Sequence, residues 1–346
     1  MSRSGVLVTG AAGYVGRLTV QALAARSAGT GPIVALDVRA LPTASGAGPG
    51  SGTRAGPAGG PSAAVEHVRA DITTDDIADV IGDRSIDTVV HLASIVRAPR
   101  HAPADLAYRV DVLGTRNVVE ACIATGVKKL VVTTSGAAYG YHRDNPELID
   151  EDDPLRAQPT IPYAHHKRLV EEMLAEYRHT HPALAQLVLR PGTVIGEGTR
   201  SPVTDLFEGP VVLGVRGSES PFVFIWDGDL VAVVVAGVLG EVTGIFNLAG
   251  EGALAPRAIA EVLHKPYLPL PPGLLRAGLG AARTLGLSLH GAPYIDFLRY
   301  RPVLSNRRLV EELGYSPVSS AEAFGIWARS RARRKARSAA LPTETA

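Results

Sequence analysis

Tyr163 and Lys167 stand four residues apart in Tyr163-Ala164-His165-His166-Lys167, a spacing that puts a phenol and an ammonium on one helix face, one turn apart. A cation beside a tyrosine favours the phenolate and moves its pKa toward neutrality, which makes the side chain a usable proton donor and acceptor. By spacing alone such a pair more often marks an ordinary helix surface. Ser135 shifts that balance, because it falls at the end of an expected strand, on the same edge as a glycine-rich turn. The turn, Thr9-Gly10-Ala11-Ala12-Gly13-Tyr14-Val15-Gly16, follows a β-branched run and opens a helix. Gly10 lets the chain turn sharply, Gly13 lets the backbone approach a pyrophosphate, and Gly16 lets helix and strand pack closely. Ala12, Tyr14 and Val15 complete the turn, and the helix N-terminus offers unpaired N–H groups to phosphates.

A second acidic signal follows at Asp37, the end of the second expected strand, where a carboxylate can accept from the adenosine ribose hydroxyls. Its charge would repel the 2′-phosphate of NADP, so NAD is the expected cofactor, with NADP left open by Arg39 two residues on. Asp71 and Ile72 after the third strand, Leu92 and Ala93 after the fourth, and Pro191 after the sixth fall at strand C-terminal ends, where a doubly wound sheet binds its ligand. Taken singly, Asp71 and Ala93 are explained as well by turn capping and packing.

The elements that must carry these residues alternate. Strands are expected at Val6 to Thr9, Ile33 to Leu36, Val65 to Arg69, Thr88 to Leu92, Leu130 to Thr134 and Leu187 to Leu189. Between them, Gly16 to Ala25, Leu106 to Ala124 and Tyr163 to Tyr177 place apolar residues at helical spacing. Alternation of this kind implies right-handed crossovers and an α/β fold with a Rossmann-type, doubly wound parallel sheet. A dinucleotide-binding domain is therefore expected over 1–190, followed over 191–328 by a smaller, partly interleaved substrate lobe in which Pro and Gly are frequent. Leu41 to Ala64, almost all Gly, Ala, Pro, Ser and Thr, reads as a flexible surface loop. Residues 329–346, with Arg331, Arg333, Arg334, Lys335 and Arg337, read as a basic disordered tail.

The chain has 346 residues, 46% apolar and 20% charged, with 35 Lys and Arg against 34 Asp and Glu. That composition excludes a disordered chain and a polybasic nucleic-acid binder. A single cysteine, Cys122, forms no intrachain disulfide and suits a reducing compartment. The longest aliphatic run, Leu230 to Leu239, is too short for the roughly 20 apolar residues that span a bilayer. A soluble cytoplasmic protein with a small-molecule substrate, without nucleic-acid or membrane partners, is expected. No metal site is expected, because His165 and His166 diverge on a helix and His179 with His181 lacks further ligands.

Together these elements resemble the extended short-chain dehydrogenase/reductase family, the group of NAD-dependent sugar epimerases and dehydratases. The matching stretches are TGAAGYVG from Thr9, ADI from Ala70, HLA from His91, GTRNVVEA from Gly114, TTSGAAYG from Thr133, YAHHK from Tyr163, LRPGTVIG from Leu189 and LGYSP from Leu313. The resemblance implies that Tyr163 is the general acid/base, that Lys167 holds the nicotinamide ribose and tunes Tyr163, and that Ser135 hydrogen-bonds the reacting substrate oxygen. It also implies a homodimer through the two long helices. Departures narrow the activity. Ser135-Gly136-Ala137 stands where the dehydratases carry Thr-Asp-Glu, which argues against 4,6-dehydration. Arg190-Pro191-Gly192-Thr193 lacks the epimerases' Asn, Ser220 to Asp229 lacks their arginine, and Asp111 replaces a frequent Asn.

Two activities remain within the family: a sugar or nucleotide-sugar epimerase, and an alcohol dehydrogenase or ketone reductase of the hydroxysteroid or dihydroflavonol type. The apolar stretch Pro266 to Leu289 suits a pocket for the second, though a packing helix explains it as well. Arg216, Arg276, Arg299 and Arg301 are the candidate phosphate partners for the first. A non-catalytic dinucleotide sensor is the third reading.

Overall fold

Every residue of β1 (Gly5–Thr9) and β2 (Ile33–Asp37) is buried, as a parallel strand covered by helices on both faces must be. A computed structural model describes residues 5–26, 31–40, 64–74, 77–99, 101–285 and 291–340. From the glycine turn the chain enters helix α1 (Tyr14–Ala24), and after β2 it runs through β3 (Val65–Arg69), α2 (Ile77–Gly82) and β4 (Ile86–His91). Helix α3 (Leu106–Tyr108) continues through a wide turn at Arg109–Gly114 into α4 (Thr115–Thr125), followed by β5 (Lys129–Thr133), α5 (Pro162–Thr180) and β6 (Ala185–Pro191).

Beyond Pro191 come β7 (Thr193–Ile195), α6 (Pro202–Asp205), β8 (Val212–Val215), β9 (Phe224–Trp226), α7 (Asp227–Leu239) and β10 (Gly244–Leu248). The rest is α8 (Pro256–Val262), β11 (Tyr267–Leu270), α9 (Pro272–Thr284), α10 (Tyr294–Arg299), α11 (Arg307–Glu311) and α12 (Ser320–Ala340).

Among the described residues the main sheet has seven parallel strands in the order β10-β6-β5-β4-β1-β2-β3. The order reverses between β1 and β4, and a doubly wound sheet opens its ligand crevice at that switch point. Side chains alternate along β1 by the pleat. Leu7 joins a core with Val118, Cys122 and Leu174 of α4 and α5, whereas Val6 and Val8 join one with Leu230 and Val234 of α7. Each such side chain contributes about 1.5–3 kcal/mol by leaving water. A third core, built on Phe207, Phe222, Phe224, Phe324 and Trp327, lies in the part that follows β6.

One expectation needs revision. The basic residues after 329 form the end of α12 rather than a disordered tail. Phe324 and Trp327 bury the first half of that helix, and Arg331 and Arg333 pair with Glu208 at 2.9 Å and Glu197 at 2.8 Å, which offsets the crowding of positive charge. The aliphatic run at Leu230 is the interior of α7, and among the described residues no helix is long and apolar enough to cross a membrane. The Gly/Pro segment expected from Leu41 lies, except for Ala64, outside the described residues.

Candidate active site

β5 delivers Ser135 to the C-terminal edge of the sheet, where it caps a short helical turn at Gly136–Tyr139. Its Oγ accepts the Ala137 N–H at 3.1 Å, which leaves the hydroxyl hydrogen available to a substrate oxygen. Pro162 starts α5 with a preset φ, so Tyr163 falls in its first turn and Lys167 in the next. Lys167 is buried, with Nζ 5.8 Å from the centre of the Tyr163 ring. Ser135 and Tyr163 open on one cavity of about 850 Å³, which Tyr14 and Val15 of the glycine turn and Pro191 also line.

Behind Lys167, His91 Nδ1 lies 2.7 Å from Thr9 Oγ1 and Nε2 lies 2.9 Å from Thr115 Oγ1. Burial, helped by the Lys167 ammonium, drives the His91 imidazole down to about 3, so it is neutral. Asp111 is buried there too and accepts the Ile95 N–H at 2.9 Å, fixing the segment after β4. Burial works to raise its carboxyl, but His166 at 3.7 Å and the Lys167 ammonium outweigh it and hold the group ionised.

The glycine turn has the shape a pyrophosphate needs. Gly10 is left-handed at φ +71°, and a Cβ there would meet the Ala93 backbone N at 2.6 Å. A Cβ on Gly16 would meet the Gly10 carbonyl at 2.1 Å. Helix α1 carries no acidic residue in its first turn, which leaves its positive end open to an anion. Asp37 Oδ2 accepts the Ala12 N–H at 3.0 Å, which places the carboxylate beside the turn. These residues fit a dinucleotide. Other expected contacts are less direct: Asp71 caps the Thr73 N–H at 2.9 Å, and Ile72 is buried with its side chain against Gly114. Leu92 and Ala93 lie where β4 leaves the sheet, the Leu92 N–H donating to the Thr9 carbonyl at 3.2 Å.

Of the four candidate phosphate arginines, only Arg301 lines the cavity. Its guanidinium carbon sits 3.7 Å from the centre of the Phe222 ring, and the group donates to the carbonyls of Ser220, Pro221 and Phe297. Among the described residues no carboxylate pairs with it, and burial brings it down to about 9, still charged at neutral pH. The stretch from Ser220 to Asp229 has no arginine of its own; the fold returns a guanidinium to it from a distant position. A contact with no signal in the sequence ties Tyr14 to the second lobe, its phenol donating to Asp227 and accepting the Gly198 N–H. Burial and the Asp227 charge push that phenol up. Among the described residues no cluster of metal-ligating side chains occurs.

The sequence model of the NAD dependent epimerase/dehydratase family matches residues 6–208. The chain belongs to that family, an enzyme group of the extended short-chain dehydrogenase/reductase type. The protein Rv0501 of Mycobacterium tuberculosis is 26% identical over 274 residues, 77% of this chain and 71% of that protein. UDP-glucose 4-epimerase of Azospirillum brasilense is 32% identical over 193 residues, 55% of this chain and 49% of the epimerase. Among solved structures, the UDP-glucose 4-epimerase of Thermus thermophilus in complex with NAD superposes with a TM-score of 0.67 at 24% identity, covering 94% of this chain and 98% of that one. That last likeness is one of fold.

Proposed function

We propose that this chain is a sugar or nucleotide-sugar epimerase in which Ser135, Tyr163 and Lys167 perform the proton chemistry. The observation that carries the reading is the single cavity: Ser135 and Tyr163 face it beside the glycine turn, and the unneutralised Arg301 faces it from the opposite lobe. Bound NAD supplies the hydride acceptor and, in the return step, the hydride donor. Tyr163 takes the proton of the reacting hydroxyl while Ser135 holds the same oxygen, and both groups reverse their roles when the ketone is reduced from its other face. Lys167, buried against Tyr163, holds the nicotinamide ribose and supplies the neighbouring positive charge. Arg301 offers bidentate donors to a phosphate on the substrate.

The missing acidic pair at Gly136-Ala137 is what argues against the family's 4,6-dehydratases; a Cβ on Gly136 would meet only the movable end of the Leu304 side chain, at 2.6 Å.

One observation favours a second reading, an alcohol dehydrogenase or ketone reductase. Much of the cavity wall is apolar, including Ile95, Val96, Ile161, Val203 and Phe297, a lining suited to a hydrophobic alcohol. Incubation with UDP-hexoses, followed by NMR, separates the two. Inversion at one hydroxyl-bearing carbon without net NADH accumulation is expected, and Tyr163→Phe slows it at least about 100-fold. Net NADH accumulation with an apolar alcohol, and no inversion of the sugars, would transfer the assignment to the dehydrogenase. We also infer a homodimer through the outer faces of α4 and α5, which lie side by side with Tyr177 Oη donating to Glu120 at 2.7 Å.

A further inference from the structure

The apolar stretch from Pro266 to Leu289 has two readings in the sequence, a pocket wall or a packing helix, and its helical part is neither. No residue of α9 is buried, and of that helix only Arg283 lines the cavity. Leu275 and Leu279 are half-buried on its inner side. Leu274, Ala277, Gly278 and Ala281, with Leu285 just past the helix end, recur at three- and four-residue spacing and are all exposed. Leu274 is 59% and Leu285 71% exposed, values that place both side chains in water rather than in a core. The ribbon that leads into α9 adds a cross-strand pair, Leu268 of β11 beside Leu213 of β8, and both are exposed. Contiguous apolar surface of this kind marks a contact site.

Charge identifies the partner. Between Glu261 and Asp296 the sequence carries no acidic residue. Arg276 and Arg283, seven residues apart, form a second exposed stripe on the same helix. Arg216, just past β8, stands beside the start of α9, its N–H on the Leu270 carbonyl at 2.8 Å, with Glu219 the acid nearest to it in the chain. Among the described residues none of these three guanidinium groups is paired with a carboxylate. A helix with leucines on one face and unpaired arginines on another suits the boundary of a bilayer, where the leucines enter the acyl region and the arginines meet anionic headgroups.

We propose that α9 docks this protein on an anionic lipid surface, lying in its plane with Leu274 and Leu285 inserted. No spanning segment is needed for such docking, so the short aliphatic run of α7 does not bear on it. The surface adjoins the cavity: α9 packs on α10, whose Tyr294 and Phe297 line the cavity together with Arg283. Docking therefore holds the cavity beside the lipid. The proposal goes beyond the epimerase reading and does not depend on it.

Flotation of the intact protein with vesicles of phosphatidylcholine alone, and of phosphatidylcholine with about 30% phosphatidylglycerol, tests it. At low salt at least about tenfold more protein should float with the anionic vesicles, and raising the salt should reduce that fraction. The double variant Leu274→Asp, Leu285→Asp should abolish flotation, and Arg276→Glu should weaken it about threefold or more. Leu285→Trp keeps the face apolar, and its emission should shift to the blue when the anionic vesicles are added. No flotation with the anionic vesicles, or flotation that the double variant leaves unchanged, overturns the proposal. So does a double variant that sediments as monomer where the parent is a dimer, because the face then belongs to a second copy of the chain. Every readout is independent of turnover, so failure of the epimerase reading leaves this test intact.

Discussion

Tyr163 and Lys167 show how little two residue types specify until a fold surrounds them. On a helix surface the pair is unremarked; with Tyr163 opening on the cavity that Ser135 and the glycine turn also line, and Lys167 buried behind it, the pair becomes the proton-transfer group of the proposed mechanism. The same dependence on surroundings governs Glu151. Its Oε1 accepts the Asn247 N–H at 2.7 Å, and burial, with Asp150 close by, pushes its carboxyl up from 4.5 to about 7. A carboxyl raised in the folded state takes up a proton on folding. Its contribution is therefore full below the unfolded value near 4.5 and is lost as pH rises through about 7. Wild-type protein should lose thermal stability over that window, and Glu151→Gln should shrink the loss by on the order of 2–4 °C in pH-dependent melting experiments.

At the scale of elements, the C-terminal edge of the sheet is held by a buried ion pair. Arg190 at the end of β6 meets Glu171 of α5 at 2.9 and 3.0 Å, and its remaining donors reach Tyr139 Oη at 2.8 Å and the Glu151 carbonyl at 2.9 Å. Both partners are almost wholly inaccessible. The pair therefore locks α5, which carries Tyr163 and Lys167, to the strand that ends at Pro191. Removing one member leaves an uncompensated buried charge, so Arg190→Met should cost about 3–5 kcal/mol in denaturant unfolding. If Glu171→Met with Arg190→Met restores most of that loss, the penalty belongs to the orphaned charge and not to the lost contact.

At the scale of the whole molecule, the cavity is lined from both sides of the chain's division: by Tyr14, Ser135 and Tyr163 on one side and by Phe222 and Phe297 on the other. Helix α12 packs within the second lobe with Phe324 and Trp327 fully buried, and the indole N–H donates to the Thr199 carbonyl at 3.3 Å. Tyr14 and Asp227 tie the glycine turn to that lobe. On the far side, α4 and α5 form the expected dimer face. Sedimentation at micromolar concentration should show a dimer, and monomer alone would remove that assembly from the proposal.

Much of this organisation was legible in the amino-acid order. All six strands expected from β-branched runs overlap the observed ones to within two residues at each end. Local patterning suffices for the inner strands, because a strand buried on both faces needs an uninterrupted apolar run and a helix needs apolar residues three and four apart; β3, at the sheet edge, is largely exposed. The glycine turn was equally legible, since Gly10 and Gly16 are demanded by backbone sterics within a few residues. What local order left undecided depends on contacts between distant positions. The pairing of Arg39 with Asp37 was foreseeable from spacing, but the bond from Arg69 Nε to the Val38 carbonyl required the register of β3 on β2. The return of Arg301 to Phe222 joins positions far apart in the chain, and the order of the α12 tail depends on Glu197 and Glu208 being brought beneath its arginines. Periodicity reports which face of an element is apolar; only the tertiary fold decides which charges that face brings together.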